Sequence, residues 1–261
     1  MKAFGVIIIL SFLSFNLFAQ KLSPKAIEAD LLKSYKKIIL WGDDHYYDKD
    51  FEKQQNNLDE SLSEFKKKLS YYCTKYPGTI SQNFSKLDKE RSLIISSSKD
   101  GLFRIYSWDT RGGGTMHFFQ NIFQYKVSDK TTAITEAKSE GDPGCFYKKV
   151  YTFTSGKRTY YLATFIVIGS TRDLGGGIQV FAIENGVLNN NVKIIKTQTG
   201  LHSAIDYGYD ASYMDSRDAY PDVKFDNVQQ TIKIPLISEK GKPTKKYIAY
   251  KFTGQYFEKI K

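Results

Sequence analysis

An alternation of apolar and polar residues starts near residue 92 and sets the fold class of most of this chain. Segments rich in Tyr, Phe, Ile, Val and Thr recur there, which is typical of β-strands. They are LFRIYSW, TMHFFQNIFQYKV, KKVYTFT, RTYYLATFIVIG, GIQVFAI, VKIIKT, QTIKIPLI and KKYIAYKFTGQYFEKI. Short turns separate several of them, at KDG (99–101), SGK (155–157), ENG (184–186) and EKGKP (239–243). The pattern predicts a mostly antiparallel β-meander, arranged as a curled sheet, a sandwich or propeller-like blades.

Two helices are predicted before the strands. Residues 22–41 carry apolar residues on one helical face, with Ser23 as the N-cap, Pro24 at the first helical position and Gly42 at the end. A second helix is predicted over about residues 50–72, where acidic side chains precede basic ones along the helix. We expect the two helices to pack as a hairpin. The predicted fold class is therefore α+β, with an N-terminal helical hairpin followed by a mostly antiparallel β-meander domain.

The N-terminus has the parts of an export signal. Lys2 is a short basic region, residues 3–18 are an apolar core, and Ala19 is suited to cleavage before Gln20. An uncleaved membrane anchor is the alternative, although the core is short for a spanning helix. We predict a signal peptide at 1–19, a helical hairpin segment at 20–80 and a β-rich domain at 90–261. The mature chain is expected to be periplasmic or secreted, without a transmembrane anchor.

The charge of the chain bears on its partners. The formal net charge is +10, from 38 Lys and Arg against 28 Asp and Glu. Most of the basic residues are Lys, spread along the chain with few dense clusters. Sites for nucleic acids rely heavily on Arg, so we interpret the charge as a solvated surface and predict no nucleic-acid partner. A preference for anionic polymers or envelope surfaces is the alternative.

The chain has two cysteines, Cys73 and Cys145. An even number of cysteines in an exported chain favours a disulfide. A bridge between these two would close a loop of about 70 residues, which is worth ~4 kcal/mol in the chain-entropy description. Two free buried thiols are the alternative.

Two glycine triplets begin at Gly112 and Gly175. Phosphate-binding glycine loops lead into a helix, whereas a predicted strand follows each triplet here, and no Walker lysine is present. We therefore predict positive φ angles in a hairpin or bulge, no nucleotide and no cofactor. The flanking segments RIYSWDTRGGGTMHFF and FIVIGSTRDLGGGIQVFAI also resemble each other, which indicates a weak internal repeat.

The first predicted hairpin contains a candidate ligand-binding face. Alternation along RIYSW puts Arg104, Tyr106 and Trp108 on one side of the strand. If residues 109–114 form the loop, His117 of the returning strand joins the same side. Trp, Tyr and Arg dominate binding hot spots, so this face is a candidate site. The alternative is that the helices or another sheet cover it, because large aromatic side chains are usually buried.

A second candidate lies in residues 202–226, the least regular long stretch of the chain, where Asp and Tyr are frequent. Long loops in compact domains are often functional. The candidate binding residues are Tyr207, Tyr209 and Asp210. An ordinary surface loop is one alternative, and a catalytic carboxylate pair of the glycosidase kind is another.

The other motifs give little chemistry. His45 lies among carboxylates in residues 42–50, a composition that suits a divalent metal ion, but we interpret the stretch as a solvated loop and predict no metal. No Gly-x-Ser-x-Gly elbow is present. Residues 34–37 and 96–99 match Ser-x-x-Lys, but the other motifs of penicillin-recognising enzymes are missing, so no catalytic residue is assigned.

The predicted function is a non-enzymatic binding or interaction protein of the cell envelope or exterior. Its partner is expected to be a protein or carbohydrate of the envelope, of unknown identity. The alternative is a hydrolase acting on envelope polymers or sugars with carboxylates from residues 202–226. An inhibitor or immunity-type partner of a secreted enzyme is a further alternative.

Overall fold

Two helices open the described part of the chain. The computed structural model describes residues 22–43, 50–90, 92–136, 138–214 and 221–260, so the predicted signal peptide lies outside the described residues. Helix α1 spans Pro24–Trp41 and helix α2 spans Phe51–Lys75, and the side chains of Ser23 and Asp50 cap their first turns. Both predicted helices are confirmed. Within the described ranges, no helix is both long and apolar enough to cross a membrane.

The helices pack against each other as the predicted hairpin. Their apolar faces meet around Leu31 and Phe65, which are fully buried. At the edge of this contact, Lys68 Nζ lies 2.8 Å from an Asp30 carboxylate oxygen and joins the two helices by an ion pair. A short 3-10 helix, Pro77–Ser81, follows α2 and leads the chain toward the strands.

Within the described residues, the strands form three sheets. The first sheet contains β1 (Leu93–Ser97), β2 (Phe103–Asp109), β3 (Phe119–Val127) and β4 (Lys130–Thr135), paired antiparallel in that order. The second contains β5 (Phe146–Ser155), β6 (Arg158–Ile168), β7 (Asp173–Glu184) and β11 (Ala204–Asp210), with β8 (Val187–Asn189) attached to β7.

The third sheet is built from the remaining strands. They are β9 (Ile195–Thr197), β10 (Gly200–His202), β12 (Lys224–Asp226), β13 (Thr231–Ile237), β14 (Pro243–Phe252) and β15 (Phe257–Lys259). Their order across the sheet is β10-β9-β15-β14-β13-β12. The β9 and β15 pair is parallel, and the other neighbouring pairs are antiparallel.

Shared apolar clusters stack these units in layers. The helical hairpin covers one face of the first sheet, with Trp108 in their common core. The opposite face packs on the second sheet through Phe103 and Phe181. The other face of the second sheet packs on the third through Val180 and Phe257. The order is helices, first sheet, second sheet and third sheet. Two N-terminal helices followed by mostly antiparallel sheets confirm the predicted α+β class.

The predicted turns also join the strands as expected. The ENG turn between β7 and β8 has Asn185 at φ 51° and Gly186 at φ 80°. Two consecutive left-handed residues are the requirement of the tight turn that suits twisted hairpins. The predicted turns at 99–101, 155–157 and 239–243 connect β1 to β2, β5 to β6 and β13 to β14.

The prediction of positive φ in the glycine triplets is wrong. None of the described residues 112–114 and 175–177 has a positive φ. The second triplet lies inside β7, where lack of space favours glycine. A Cβ on Gly176 would lie 2.7 Å from the Tyr207 hydroxyl oxygen. The first triplet lies in the loop between β2 and β3. Because one triplet is in a strand and the other in a loop, the predicted repeat does not extend to the triplets.

The predicted disulfide is also wrong, because Cys73 and Cys145 are both free. Cys73, near the end of α2, belongs to the core between the helices and the first sheet. Cys145, just before β5, packs against the core between the first and second sheets. The first sheet separates the two thiols. Burial raises the pKa of each thiol to about 12.

Candidate functional site

The predicted binding face of the first hairpin is covered by the helices. Arg104, Tyr106 and Trp108 do share one side of β2, but each is buried. The loop to β3 covers residues 110–118, which is longer than the predicted loop, so the predicted register is wrong. Alternation identifies the residues that share a face, but it does not report what packs on that face.

Arg104 ties the 3-10 helix region to the first sheet. Its Nη1 donates to the carbonyl oxygens of Thr79 and Gln82, each at 2.8 Å. Its Nε donates to Ser97 Oγ at 2.7 Å. The guanidinium group therefore already donates its hydrogen bonds to groups of the protein.

Tyr106 and Trp108 belong to the core beneath helix α2. The Tyr106 hydroxyl donates to Gln124 Oε1 at 3.1 Å, and Gln124 Nε2 donates to the Cys73 carbonyl at 2.9 Å. Trp108 packs edge-on against Phe65, with ring centroids 5.2 Å apart. Neither side chain offers accessible surface to a ligand.

His117 is the member of the predicted set that remains partly exposed, with 41% of its side chain accessible. Its Nδ1 lies 2.5 Å from one carboxylate oxygen of Asp109, and the other oxygen accepts the Arg111 N–H at 2.7 Å. Asp109 is the last residue of β2. One carboxylate therefore fixes both the start and the end of the loop at residues 110–118.

This loop opens onto a cavity of about 260 Å³. The end of α1, the start of α2 and the loop form its walls, and it is lined by Trp41, Gly42, Phe51, Gln54, Gln55, Leu58, Arg111, Gly112, Gly113 and Gly114. We call it the Arg111 cavity. The Arg111 backbone is left-handed, with φ 57°, which is uncommon for a residue with a side chain. Its side chain lies against Gly42, where a Cβ would be 2.6 Å from Arg111 Cβ.

The electrostatics of the Arg111 cavity favour a negative group. Arg111 Nε is buried and has no hydrogen-bond partner among the described residues. Burial raises the pKa of Tyr35 well above its usual value. The positive charge of Arg111 opposes that rise and the negative charges of Asp109 and Glu90 add to it, so the guanidinium and both carboxylates are close to this core residue. Phe51 is 67% exposed at the rim. The cavity therefore combines an unpaired buried donor with aromatic surface, which suits an anionic group carried on a ring.

The second predicted site is more regular than expected. Much of the first part of residues 202–226 is strand β11, so its predicted irregularity is wrong there. Tyr207 and Tyr209 stack with ring centroids 6.2 Å apart, and Tyr209 is buried. Asp210 pairs with Arg172 at 2.5 Å, and the hydrogen bond from Arg172 holds the pKa of Asp210 well below its usual range. The three residues therefore belong to β11, the edge strand of the second sheet, and their contacts are with other parts of the protein.

His45 and two of its neighbouring carboxylates, Asp44 and Asp48, fall in residues 44–49, outside the described residues. Among the residues that the structure describes, no three His, Cys, Asp or Glu side chains gather as a metal site.

Arg111 was missed by the sequence reasoning. The available signal was its position directly before a glycine triplet, where the chain leaves room for a close approach. Its side chain lies against Gly42 and lines the same cavity as Trp41, and both residues lie far earlier in the sequence. Local patterns do not report such a long-range contact.

Compared with known protein families and with curated protein sequences, the chain matches none of them significantly. The site is therefore interpreted from its own geometry.

Proposed function

We propose that this chain is an exported, non-enzymatic binding protein of the cell envelope or exterior, and that the Arg111 cavity holds an acidic sugar unit of an envelope polymer. The observation that carries the proposal is the buried Nε of Arg111, which has no partner among the described residues and belongs to a side chain that lines the cavity. A buried donor that lacks a partner costs about 1–3 kcal/mol, and an anionic ligand removes that cost.

The cavity suits one unit of a larger ligand. Its volume of about 260 Å³ is slightly below the ~300–1,000 Å³ of pockets that enclose a whole drug-sized molecule. The guanidinium plane matches a carboxylate by paired hydrogen bonds. Gly112 and Gly114 let a ligand approach the loop backbone, and Phe51 and Trp41 supply flat surface for a sugar ring.

The hydrolase alternative has no observation in its favour. In the described part of residues 202–226, Asp210 is paired with Arg172 and Asp222 with Lys148, and Asp206 is exposed on β11. Asp226 accepts the N–H groups of the turn that follows it. Asp215 and Asp218 lie outside the described residues, so the alternative stays an untested prediction.

Ligand binding is tested by NMR titration of the ¹⁵N-labelled chain starting at Gln20. The probe is glucuronic acid, and glucose is its neutral match. We expect glucuronic acid to shift signals of residues 111–114, with glucose giving smaller shifts. Arg111→Gln removes the cationic donor and is expected to weaken glucuronic acid binding about tenfold or more, since a hydrogen bond to a charged group is worth about 1.5–3 kcal/mol.

The matched control is Arg172→Gln, which removes an exposed guanidinium outside the cavity. This variant is expected to bind glucuronic acid like the parent chain. Equal affinity of the parent and Arg111→Gln chains, or equal shifts with glucose, would contradict the proposal. Export is tested separately by the intact mass of the native protein, which is expected to begin at Gln20; a full-length, membrane-retained species would contradict export.

A further inference from the structure

A second and larger cavity, of about 770 Å³, lies between helix α1 and the chain that follows the 3-10 helix. It is lined by Pro24, Lys25, Glu28, Ala29, Leu32, Lys33, Lys36, Gln82, Asn83, Phe84, Ser85 and Lys86. We call it the lysine groove. Its four lysines face a single acidic residue, Glu28.

Helix geometry aligns these lysines in a row. Lys25, Lys33 and Lys36 lie on the face of α1 that points away from the buried face at Ile27 and Leu31. At a rise of 1.5 Å per residue, Lys25 and Lys36 are about 16 Å apart along the axis. Lys86 adds a charge from the opposite wall.

The charge of the groove is not neutralised within the described part of the fold. One oxygen of Glu28 accepts the N–H groups of Lys86 and Leu87, at 2.6 and 3.3 Å, so this carboxylate is committed to the wall of the groove. None of the four groove lysines has an ion pair with a described residue.

The charged residues on the other side of α1 differ. There Lys37 pairs with Glu64 at 2.7 Å, and Asp30 pairs with Lys68 at 2.8 Å. These acidic side chains form their ion pairs at the contact between the helices. The charge of Lys33 also lowers the pKa of Asp30, so the positive charge of the groove is only partly offset.

We propose that the lysine groove binds a linear polymer that carries repeated phosphate or carboxylate groups. A concave groove with charges along about 16 Å suits an extended chain of anionic units rather than a flat surface. Lysine acts as a flexible point charge, so it follows such a chain without the fixed geometry that an arginine fork demands. Affinity then comes mainly from release of the counterions that surround the polymer.

The groove is separate from the Arg111 cavity, which lies where α1 ends and α2 begins. This inference therefore does not depend on the proposed acidic sugar unit. Absence of glucuronic acid binding would not contradict the proposal for the lysine groove. Absence of polymer binding would not contradict the proposal for the Arg111 cavity.

The test measures binding of short-chain inorganic polyphosphate and of oligogalacturonate to the chain starting at Gln20, over a series of salt concentrations. The variant is Lys25→Gln/Lys33→Gln/Lys36→Gln/Lys86→Gln. At low salt we expect its affinity to fall about tenfold or more. By analogy with nucleic-acid phosphates, where each contact adds about 0.7–0.9 to the slope of log K against log salt, the slope should fall by about 3.

The control variant removes four exposed lysines of the β13–β14 hairpin region, as Lys240→Gln/Lys245→Gln/Lys246→Gln/Lys251→Gln. It has the same net charge as the groove variant, and circular dichroism checks that both are folded. Weaker polymer binding in the groove variant alone supports the proposal. Whether polyphosphate, oligogalacturonate or both lose affinity identifies the anionic group that the groove binds. Equal weakening by the control, or no binding of either polymer to the parent chain, would overturn it.

Discussion

The two faces of strand β2 are both buried, but they are built differently. The face toward the second sheet is apolar, with Phe103 and Ile105 in a cluster of aromatic rings. The face toward the helices carries Arg104, Tyr106 and Trp108. The Arg104 guanidinium bonds to the 3-10 helix region, and the Tyr106 hydroxyl bonds to a glutamine held by α2. The alternation along β2 thus places aromatic rings in the core on one face and a hydrogen-bonded network in the core on the other.

Because of this contrast, a mixed aromatic and cationic face is an unreliable sign of a binding surface. A buried polar group is tolerated when its hydrogen bonds are made. The Arg104 guanidinium meets this condition with the carbonyls of Thr79 and Gln82. By contrast, Nε of Arg111, just beyond the end of the strand, has no such partner among the described residues. The two arginines therefore differ in their hydrogen bonds, but a missing partner alone does not mark a site, because Trp108 Nε1 in the covered core also has none among the described residues.

The largest expected effect is that of Trp108→Ala. Trp108 is fully buried on the helix-covered face and contacts Phe65, so its truncation leaves a cavity. We expect a loss of about 3–5 kcal/mol in the free energy of unfolding, measured by urea denaturation.

Phe51→Ala is the matched aromatic control for this substitution. Phe51 is 67% exposed at the rim of the Arg111 cavity, and its removal is expected to change stability by less than about 0.5 kcal/mol. A Trp108→Ala chain as stable as its parent would show that the helices do not cover this face.

A smaller effect is expected for Arg104→Met. The substitution keeps an aliphatic stem but leaves the carbonyls of Thr79 and Gln82 without their donor. We expect a loss of about 2–3 kcal/mol in the free energy of unfolding, because hydrogen bonds to a charged group are broken in a buried position. Arg158→Met is the control, since its exposed ion pair with Glu184 is worth about 0–1 kcal/mol. Equal losses in the two variants would argue against a buried network.

Much of the fold follows from local patterns in the sequence. Ser23 and the apolar spacing after it determine where α1 begins, and turn residues such as Asn185 and Gly186 mark a hairpin. These features depend on neighbours in sequence, so the sequence reports them directly. The short strand β4 and the edge strand β11 were missed, because weak or polar strands form only through pairing with their neighbours.

The candidate site was less predictable than the fold. The loop at residues 110–118 is held by the Asp109 contacts with His117 and Arg111, and the predicted loop was too short to allow them. The packing of the helices on β2 could not be predicted from alternation, because alternation does not give the order of the layers. Long-range contacts therefore decide which side chains remain available to a ligand.

Gly113→Ala tests the boundary between the covered strand and the open loop. A Cβ at Gly113 would lie 2.0 Å from the Met116 carbonyl oxygen, so the loop must rearrange, at about 1–3 kcal/mol of stability. Gly114→Ala is the control because no other described atom lies within 4 Å of where its Cβ would be, and a change below about 0.5 kcal/mol is expected. Thermal denaturation compares the two. Similar melting temperatures for both variants would mean that the loop is not tightly folded at Gly113.

The smallest expected effect is that of reduction, which tests directly whether the first sheet separates its two sides. Cys73 lies on the helix side and Cys145 on the side of the second sheet, so no bridge forms between them. Adding a reducing agent is therefore expected to leave the free energy of unfolding unchanged, whereas loss of a disulfide across about 70 residues would cost ~4 kcal/mol. Because the nucleophile is the thiolate, thiols with a pKa of about 12 should also react slowly with iodoacetamide at a pH of about 8 until urea exposes them. Recovery of a Cys73–Cys145 peptide from the unreduced native protein would mean that the two cysteines meet, and the layered arrangement at this end of the first sheet would have to be abandoned.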